Sequence, residues 1–521
     1  MWINVLHTRS YVKNNNQYKG RSMNQSDISL KQHKDRLLAH HDVIIIGSGF
    51  SGIGAGMRLV QEGIQDFLIL EKHENLGGTW RDNTYPGCEC DVPSALYSYS
   101  FAQNKDWSKI FAGQEEILAY TQNTAQKFGI LPFVNFGINV QNIEWQEAEQ
   151  VWLVFTDKGR YQANKVISCV GYLHEPIMPK IPGLAHFEGE VFHSSRWDHT
   201  VDLTDKRIAV IGTGASAIQF IPKIQPLAKE LIAFQRTPQW ILPKPDISIN
   251  TFFRGVFHLP FTLNVFRKSL YLAMEIFGLG FRHPRLLKRL QGLAKWHINR
   301  NIKDDKLKKK ITPDYTMGCK RVLLSNHYYQ ALAQDNVEVI ASGVEKIEGN
   351  TIIASNGERC EADVIILGTG FHVADVPIAK HVKGNSGKTM DEIWQGSPEA
   401  YRGTTITDFP NFFLILGPNL AIGHNSAFII IEAQLNYVMD ALTEMRNNNI
   451  SRLEVSSQAQ QAYNEKVQKD LQSTVWNTGG CTSYYIDENG KNSIGFPWST
   501  LRLRKMLARF DEQAYTLDKN K

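Results

Sequence analysis

An α/β fold with two Rossmann-like units is predicted by three observations. A short, fully apolar strand, Val43-Ile44-Ile45-Ile46, runs into the loop Gly47-Ser48-Gly49-Phe50-Ser51-Gly52. A second, Ile208-Ala209-Val210-Ile211, runs into Gly212-Thr213-Gly214-Ala215-Ser216-Ala217. Two further apolar strands, in 165–171 and 363–370, end in glycine, as return strands do where a chain crosses between such units. Two phosphate loops imply two dinucleotides held at once, and the usual reason is hydride transfer from a nicotinamide to a flavin.

The first unit starts at Asp42. Gly47 makes the tight turn, Gly49 lets the backbone approach pyrophosphate, and Gly52 lets the next helix pack close. That helix carries Ala55, Met57, Leu59 and Val60 and stops near Gly63. Its N-terminus offers free N–H groups and partial positive charge to phosphate. The following strand, 67–70, ends in Glu71, which stands about 20 residues beyond the loop, where a ribose diol is gripped. The second unit repeats this syntax, with Ile218, Phe220 and Ile221 facing inward on its helix. Its second strand, 231–234, ends in Gln235-Arg236-Thr237-Pro238 instead of an acid. Arg236 and the Thr237 hydroxyl would attract a 2′-phosphate that a carboxylate would repel, so NADPH is expected rather than NADH.

The expected organisation follows from these strands. A first dinucleotide domain covers 41–185 and resumes over 375–521. The second, 186–250 and 312–374, is inserted into it. Residues 251–311, rich in Phe, Leu, Arg and Lys at helical spacing, form a small helical subdomain. Residues 1–40 are polar, with asparagines at 14–16, and are expected to form an arm; Met23 offers an alternative start.

Size and composition narrow the function classes. A chain of 521 residues needs more than one core. A net charge of +5 over that length gives no reason to expect nucleic acid. The first forty residues lack the apolar core of a secretion signal. The most apolar long stretch, 261–281, is interrupted by Arg267, Lys268 and Glu275, so no membrane span is expected. The helical subdomain is read as a packed cap with a solvated basic face; a peripheral membrane contact is the alternative. Cys88, Cys90, Cys169, Cys319, Cys360 and Cys481 are scattered and lack zinc spacing, so no metal is expected. They read as a reduced, cytoplasmic set rather than a disulfide framework.

Two longer stretches are more specific than the loops. Phe187, Gly189, His193, Trp197 and Asp198 resemble the FxGxxxHxxxW[PD] signature of type I Baeyer–Villiger flavin monooxygenases. The stretch from Gly77 through Trp80 and Tyr85 to Asp91 is similar to that family's second signature, [AG]GxWxxxx[FY]P[GM]xxxD. Both match without departure, and the resemblance spans about Asp42 to residue 510.

The resemblance implies an enzyme that uses FAD and NADPH to insert one atom of O2 beside the carbonyl of a small apolar ketone. The product would be an ester or lactone, formed through a C4a-peroxyflavin. It implies flavin contacts at Ser51, Glu71, Thr79, Trp80, Asp91, Tyr97, Val140 and Ala427, beside Gly47, Gly49 and Gly52. It implies an NADPH site at Gly212, Thr213, Gly214, Ala215, Ser216, Ala217 and Ile218, with Arg236, Thr237 and Lys320. Arg321 resembles the family's active-site arginine, and Trp476 lies in a segment similar to the loop that closes over the nicotinamide.

The chemistry suits those residue types. A guanidinium never loses its charge, so Arg321 can hold an anionic oxygen adduct and the tetrahedral species that follows, with Asp91 orienting it. His193 and Trp197 are expected to act as a hinge contact and as packing rather than in the chemistry. The alternatives are oxygenation of sulfur or nitrogen by the same flavin intermediate, and a flavin-dependent NADPH oxidoreductase without oxygen insertion. A disulfide reductase of this plan would need a CxxxxC-type pair near the flavin, and none is present; Cys88 and Cys90 are too close for a typical dithiol pair.

Overall fold

The computed structural model describes residues 36–519. Two sheets organise it. The larger has eight strands, ordered Val382–Lys383, Val140–Gln146, Val151–Thr156, Arg160–Ser168, Leu37–Ile46, Phe67–Leu70 and Val134–Asn135, with Phe412–Leu414 also pairing Arg160–Ser168. Its centre is parallel: Ile44 stands opposite Leu68 on one side and Val166 on the other. Successive residues of the central strand bury into different cores, Val43 and Ile45 into one and Ile44 and Ile46 into another. A strand covered on both faces reads as an unbroken apolar run, which is why 43–46 does not alternate.

The second sheet has five strands, all parallel, ordered Val337–Ile340, Glu230–Phe234, Arg207–Ile211, Val364–Leu367 and Glu190–His193. Its central strand is also covered on both faces, by Ile208 and Val210 on one side and Ala209 and Ile211 on the other. All its strands lie between 190 and 367, whereas those of the first sheet come from 37–168 and 382–414. The molecule is therefore an α/β protein with a second Rossmann-like unit inserted into the first. The return strands Arg160–Ser168 and Val364–Leu367 each lie beside the strand that carries their own unit's phosphate loop.

Strand Leu37–Ile46 is already paired at Leu37, so the expected arm to residue 40 gives way before it; residues 1–35, with Met23, lie outside the described residues. After the second sheet the chain returns to the first. Helix Ala427–Asn447 packs on helix Phe50–Gln61, which follows the first loop.

Helices Thr251–His258, Thr262–Arg282, Pro284–Asn301 and Asp305–Ile311 make up the helical region. Its outer face is not the merely basic one expected: Phe252, Val265, Leu272, Ile276 and Leu293 also stand in solvent. No helix among the described residues is long and apolar enough to cross a membrane.

Candidate active site

A cavity of about 470 Å³ opens where strands Leu37–Ile46 and Phe67–Leu70 end. Gly47, Gly49, Ser51, Glu71, Thr79, Trp80, Tyr97, Val140 and Ala427 all line it, whereas Gly52 and Asp91 do not. Gly52 lies beneath the loop instead. A Cβ there would stand 1.9 Å from the Gly47 carbonyl oxygen, so any side chain would force the turn open. The buried Glu71 carboxylate accepts the Ser48 N–H at 2.9 Å, the Ser48 hydroxyl at 2.7 Å and Arg81 Nη1 at 3.1 Å. The indole of Trp80 donates to the Tyr97 hydroxyl at 3.0 Å, and the Tyr97 ring meets Phe428 edge-on at 5.1 Å. Burial pushes the Tyr97 phenol well above its ordinary range, so it stays neutral.

The second loop turns at Gly212, whose φ of +119° and 2.2 Å clearance from Gly368 O exclude a Cβ. Thr213 donates to the Thr237 carbonyl at 3.3 Å. Gly214, Ala215 and Ser216 lead into helix Ala217–Ile224, where Ala217 and Ile218 are buried against the sheet. Arg236 follows the end of the neighbouring strand, and Lys320 comes close to it from another part of the chain. Burial and then the Arg236 charge hold the Lys320 ammonium below its ordinary value. Neither cation makes an ion pair among the described residues; Lys320 only lies over the Tyr315 ring at 5.6 Å. Two like charges together, neither ion-paired and with only the Asp314 charge acting on Lys320 from a distance, suit an anion.

The segment 85–91 joins the two units at three points. The Tyr85 hydroxyl donates to Gln219 Oε1 at 2.9 Å, on the helix behind the second loop. Glu89 pairs with the buried Lys244 at 2.6 Å. Asp91 receives a two-pronged grip from Arg321, Nε to Oδ2 at 2.8 Å and Nη2 to Oδ1 at 2.7 Å. Burial would raise the Asp91 carboxyl, but the Arg321 charge and hydrogen bonds, with Lys244, bring it below its ordinary value. The Asp91 charge in turn holds Arg321 protonated far above its usual range, against the opposing effect of burial. Arg321 retains 36% side-chain exposure and lies within electrostatic reach of Tyr172, a cavity-lining residue, and of Tyr484 and Tyr485.

Trp476, in the short helix Val475–Thr478, is buried outside the cavity lining, between Phe281 at 5.6 Å and Tyr485 at 5.5 Å. Its indole N–H has no partner among the described residues. Just beyond it, Cys481 is disulfide-bonded to Cys319, two residues before Arg321. This corrects the reading of all six cysteines as reduced: residues 162 positions apart are brought together by the fold, while Cys88, Cys90, Cys169 and Cys360 are free. Glu275 secures the adjoining segment, accepting His424 at 3.0 Å, Asn425 at 3.2 Å and Thr500 at 2.5 Å.

His193 ends a strand of the second sheet, is buried, and hydrogen-bonds Ser195. Burial, helped by Arg196, brings its imidazole down to about 4, so it is neutral near pH 7. Trp197 packs against Phe192 and Phe220. Several lining residues are not singled out by the sequence: Ser48 and Arg81, which hold Glu71, and Phe50 and Tyr172. Ser48 and Arg81 sit inside the two motifs already recognised. Tyr172 follows a strand-ending glycine, which was the only available signal for it.

Residues 40–384 match the family pattern described as flavin-binding monooxygenase-like. A protein of Streptomyces coelicolor named Baeyer-Villiger monooxygenase is 46% identical over 479 residues, which cover 91% of this chain and 92% of that protein. A Pseudomonas aeruginosa protein of the same name is 46% identical over 483 residues, covering 92% of each. Among solved structures, the OTEMO complex with FAD and NADP superposes with a TM-score of 0.82 at 25% identity, covering 92% of this chain and 99% of that one. The chain belongs to the flavin-binding monooxygenase-like family and, within it, to the Baeyer–Villiger type.

Proposed function

We propose that this protein uses FAD and NADPH to insert one atom of O2 beside the carbonyl of a small apolar ketone, with Arg321 and Asp91 as the catalytic pair. The other oxygen atom leaves as water, and NADPH supplies the two electrons. The observation that carries this reading is the two-pronged Arg321–Asp91 contact, within electrostatic reach of the cavity-lining Tyr172.

The residues present fit both cofactors. The first loop, Glu71 and the aromatic wall of Trp80, Tyr97 and Phe428 suit a flavin dinucleotide. Arg236 and Lys320, neither of them ion-paired among the described residues, suit a 2′-phosphate, and the Trp476 N–H, unpartnered among the described residues, suits a polar group of a nicotinamide nucleotide. Bound FAD, once reduced, supplies the activation of O2.

The protein's own part is electrostatic. Arg321 holds positive charge where oxygen-centred negative charge develops, and stabilises it as that charge passes to the former carbonyl oxygen. Asp91 fixes the plane of the guanidinium and keeps it protonated. Tyr97, neutral and donated to by Trp80, holds the nearby wall without competing for a proton.

The test compares ester formation and NADPH consumption with one cyclic ketone, one aryl ketone and one thioether. The parent protein is expected to form ester in step with NADPH. Arg321→Ala should keep its flavin while losing about 10²–10³-fold in ester formation, the range for removing one oxyanion donor. Undiminished ester from Arg321→Ala removes the assigned role. NADPH consumption that ignores ketone and gives only hydrogen peroxide removes the activity.

A further inference from the structure

Outside the catalytic region, exposed apolar surface is concentrated in one place. Twelve of the twenty exposed large apolar side chains among the described residues fall within 252–296. On helix Thr262–Arg282, Val265, Leu272, Ile276 and Leu279 recur at helical spacing along the solvent side. On helix Pro284–Asn301 the stripe is Leu286, Leu290, Leu293 and Trp296. These are second faces: the inner sides of the same helices already bury Leu263, Phe281, Leu287, Ala294 and Ile298. A helix apolar on both sides ordinarily lies within a protein or against another apolar phase.

The charges say which phase. Residues 251–311 contain fourteen lysines and arginines against three acids, an excess of eleven in a chain whose whole balance is +5, so the remainder is net acidic. Between 251 and 303 the one acid is Glu275, which is buried and hydrogen-bonded to His424. Lys268, Arg285, Lys288, Arg289 and Lys295 are exposed on the same helices, and Arg300 lies 5.3 Å over the Trp296 ring. Phe261, in the turn between the first two helices, is 77% exposed at a φ of 66°. The left-handed turn at the start of the second helix holds that ring out into solvent.

We propose that the outer face of helices Thr251–His258, Thr262–Arg282 and Pro284–Asn301 docks on an anionic lipid bilayer. The apolar stripes and Phe261 enter the boundary between headgroups and acyl chains, and the flanking cations meet lipid phosphates. No helix crosses the bilayer; the contact is peripheral. The inner side of the same long helix reaches His424 and Asn425 through Glu275, and Trp476 through Phe281, so docking sets the catalytic region next to the lipid phase. The proposal does not depend on the reaction catalysed.

The test is sedimentation of the full-length flavoprotein with vesicles of phosphatidylcholine alone or mixed with phosphatidylglycerol, at low and high salt. Binding to the mixed vesicles that weakens with salt is expected. Lys288→Gln with Arg289→Gln should lower partitioning about 25-fold, roughly fivefold for each lost cation. Leu272→Ser with Ile276→Ser should lower it further at unchanged charge. These four side chains are exposed, so both variants should keep the flavin and the parent melting temperature. Absence of binding at low salt overturns the proposal, as does binding indifferent to both variants. A dimer in light scattering that Leu272→Ser with Ile276→Ser dissociates would assign the face to a second copy of the chain instead.

Discussion

Replacing Arg236 by alanine removes one of two neighbouring cations that make no ion pair among the described residues. A charge-assisted hydrogen bond is worth about 1.5–3 kcal/mol, or roughly 10- to 150-fold in affinity. The structure places the expected loss toward the lower end. Lys320, within electrostatic reach of Arg236, stays in place and supplies part of the attraction. We therefore expect NADPH to bind about 10- to 30-fold more weakly to Arg236→Ala, with NADH, which lacks the 2′-phosphate, unchanged. Lys320→Ala should act in the same direction, and the double variant should lose at least the product of the two. Anaerobic rapid mixing with each nucleotide, following flavin reduction against nucleotide concentration, separates affinity from the reduction step. Equal losses for NADH and NADPH would mean that the pair does not read the 2′-phosphate. Unchanged NADPH affinity would mean that the two cations face something else.

Three further outcomes follow from the geometry. Glu275, 8% exposed, is brought down from 4.5 to about 2, the hydrogen bonds from His424 and Thr500 outweighing burial. Its folded value is depressed, so its contribution of about 3 kcal/mol is fully present above the unfolded value and is lost as pH falls from about 4.5 toward 2; Glu275→Gln should flatten that part of a melting-temperature profile, and parallel profiles would contradict this. Gly52→Ala places a Cβ 1.9 Å from the Gly47 carbonyl oxygen and should yield protein without flavin, read from the visible absorbance per chain; full flavin content would refute the steric argument. Cys481→Ser should lower stability by about 2–4 kcal/mol, with reductant lowering the parent to the same level in thermal unfolding and leaving the variant unmoved.

What was legible in the sequence was local, or carried by an ordered motif. Each phosphate loop needs a strand, a turn without Cβ atoms and a helix start within a few residues, so 43–52 and 208–217 announce themselves. Arg321 and Asp91 are 230 positions apart, and only the family resemblance joined them. The Cys319–Cys481 bond had no such help: spacing says nothing about whether two distant Cα atoms come within 6.1 Å. The helical region was legible as helices, because periodicity reports an apolar face. Composition alone does not say which of two apolar faces the rest of the protein covers, so the outer stripes of 252–296 emerge only from the fold.

The strap from Tyr85 to Asp91 has a consequence for recombining this enzyme with its relatives. Its backbone belongs to one nucleotide unit, but Gln219, Lys244 and Arg321, which hold it, belong to the other. A chimaera cut cleanly between the units would pair one parent's strap with the other's anchors. The crossover that respects the contacts carries 85–91 along with the inserted unit, so that the exchangeable module is larger than the second sheet by one short, detached piece of sequence.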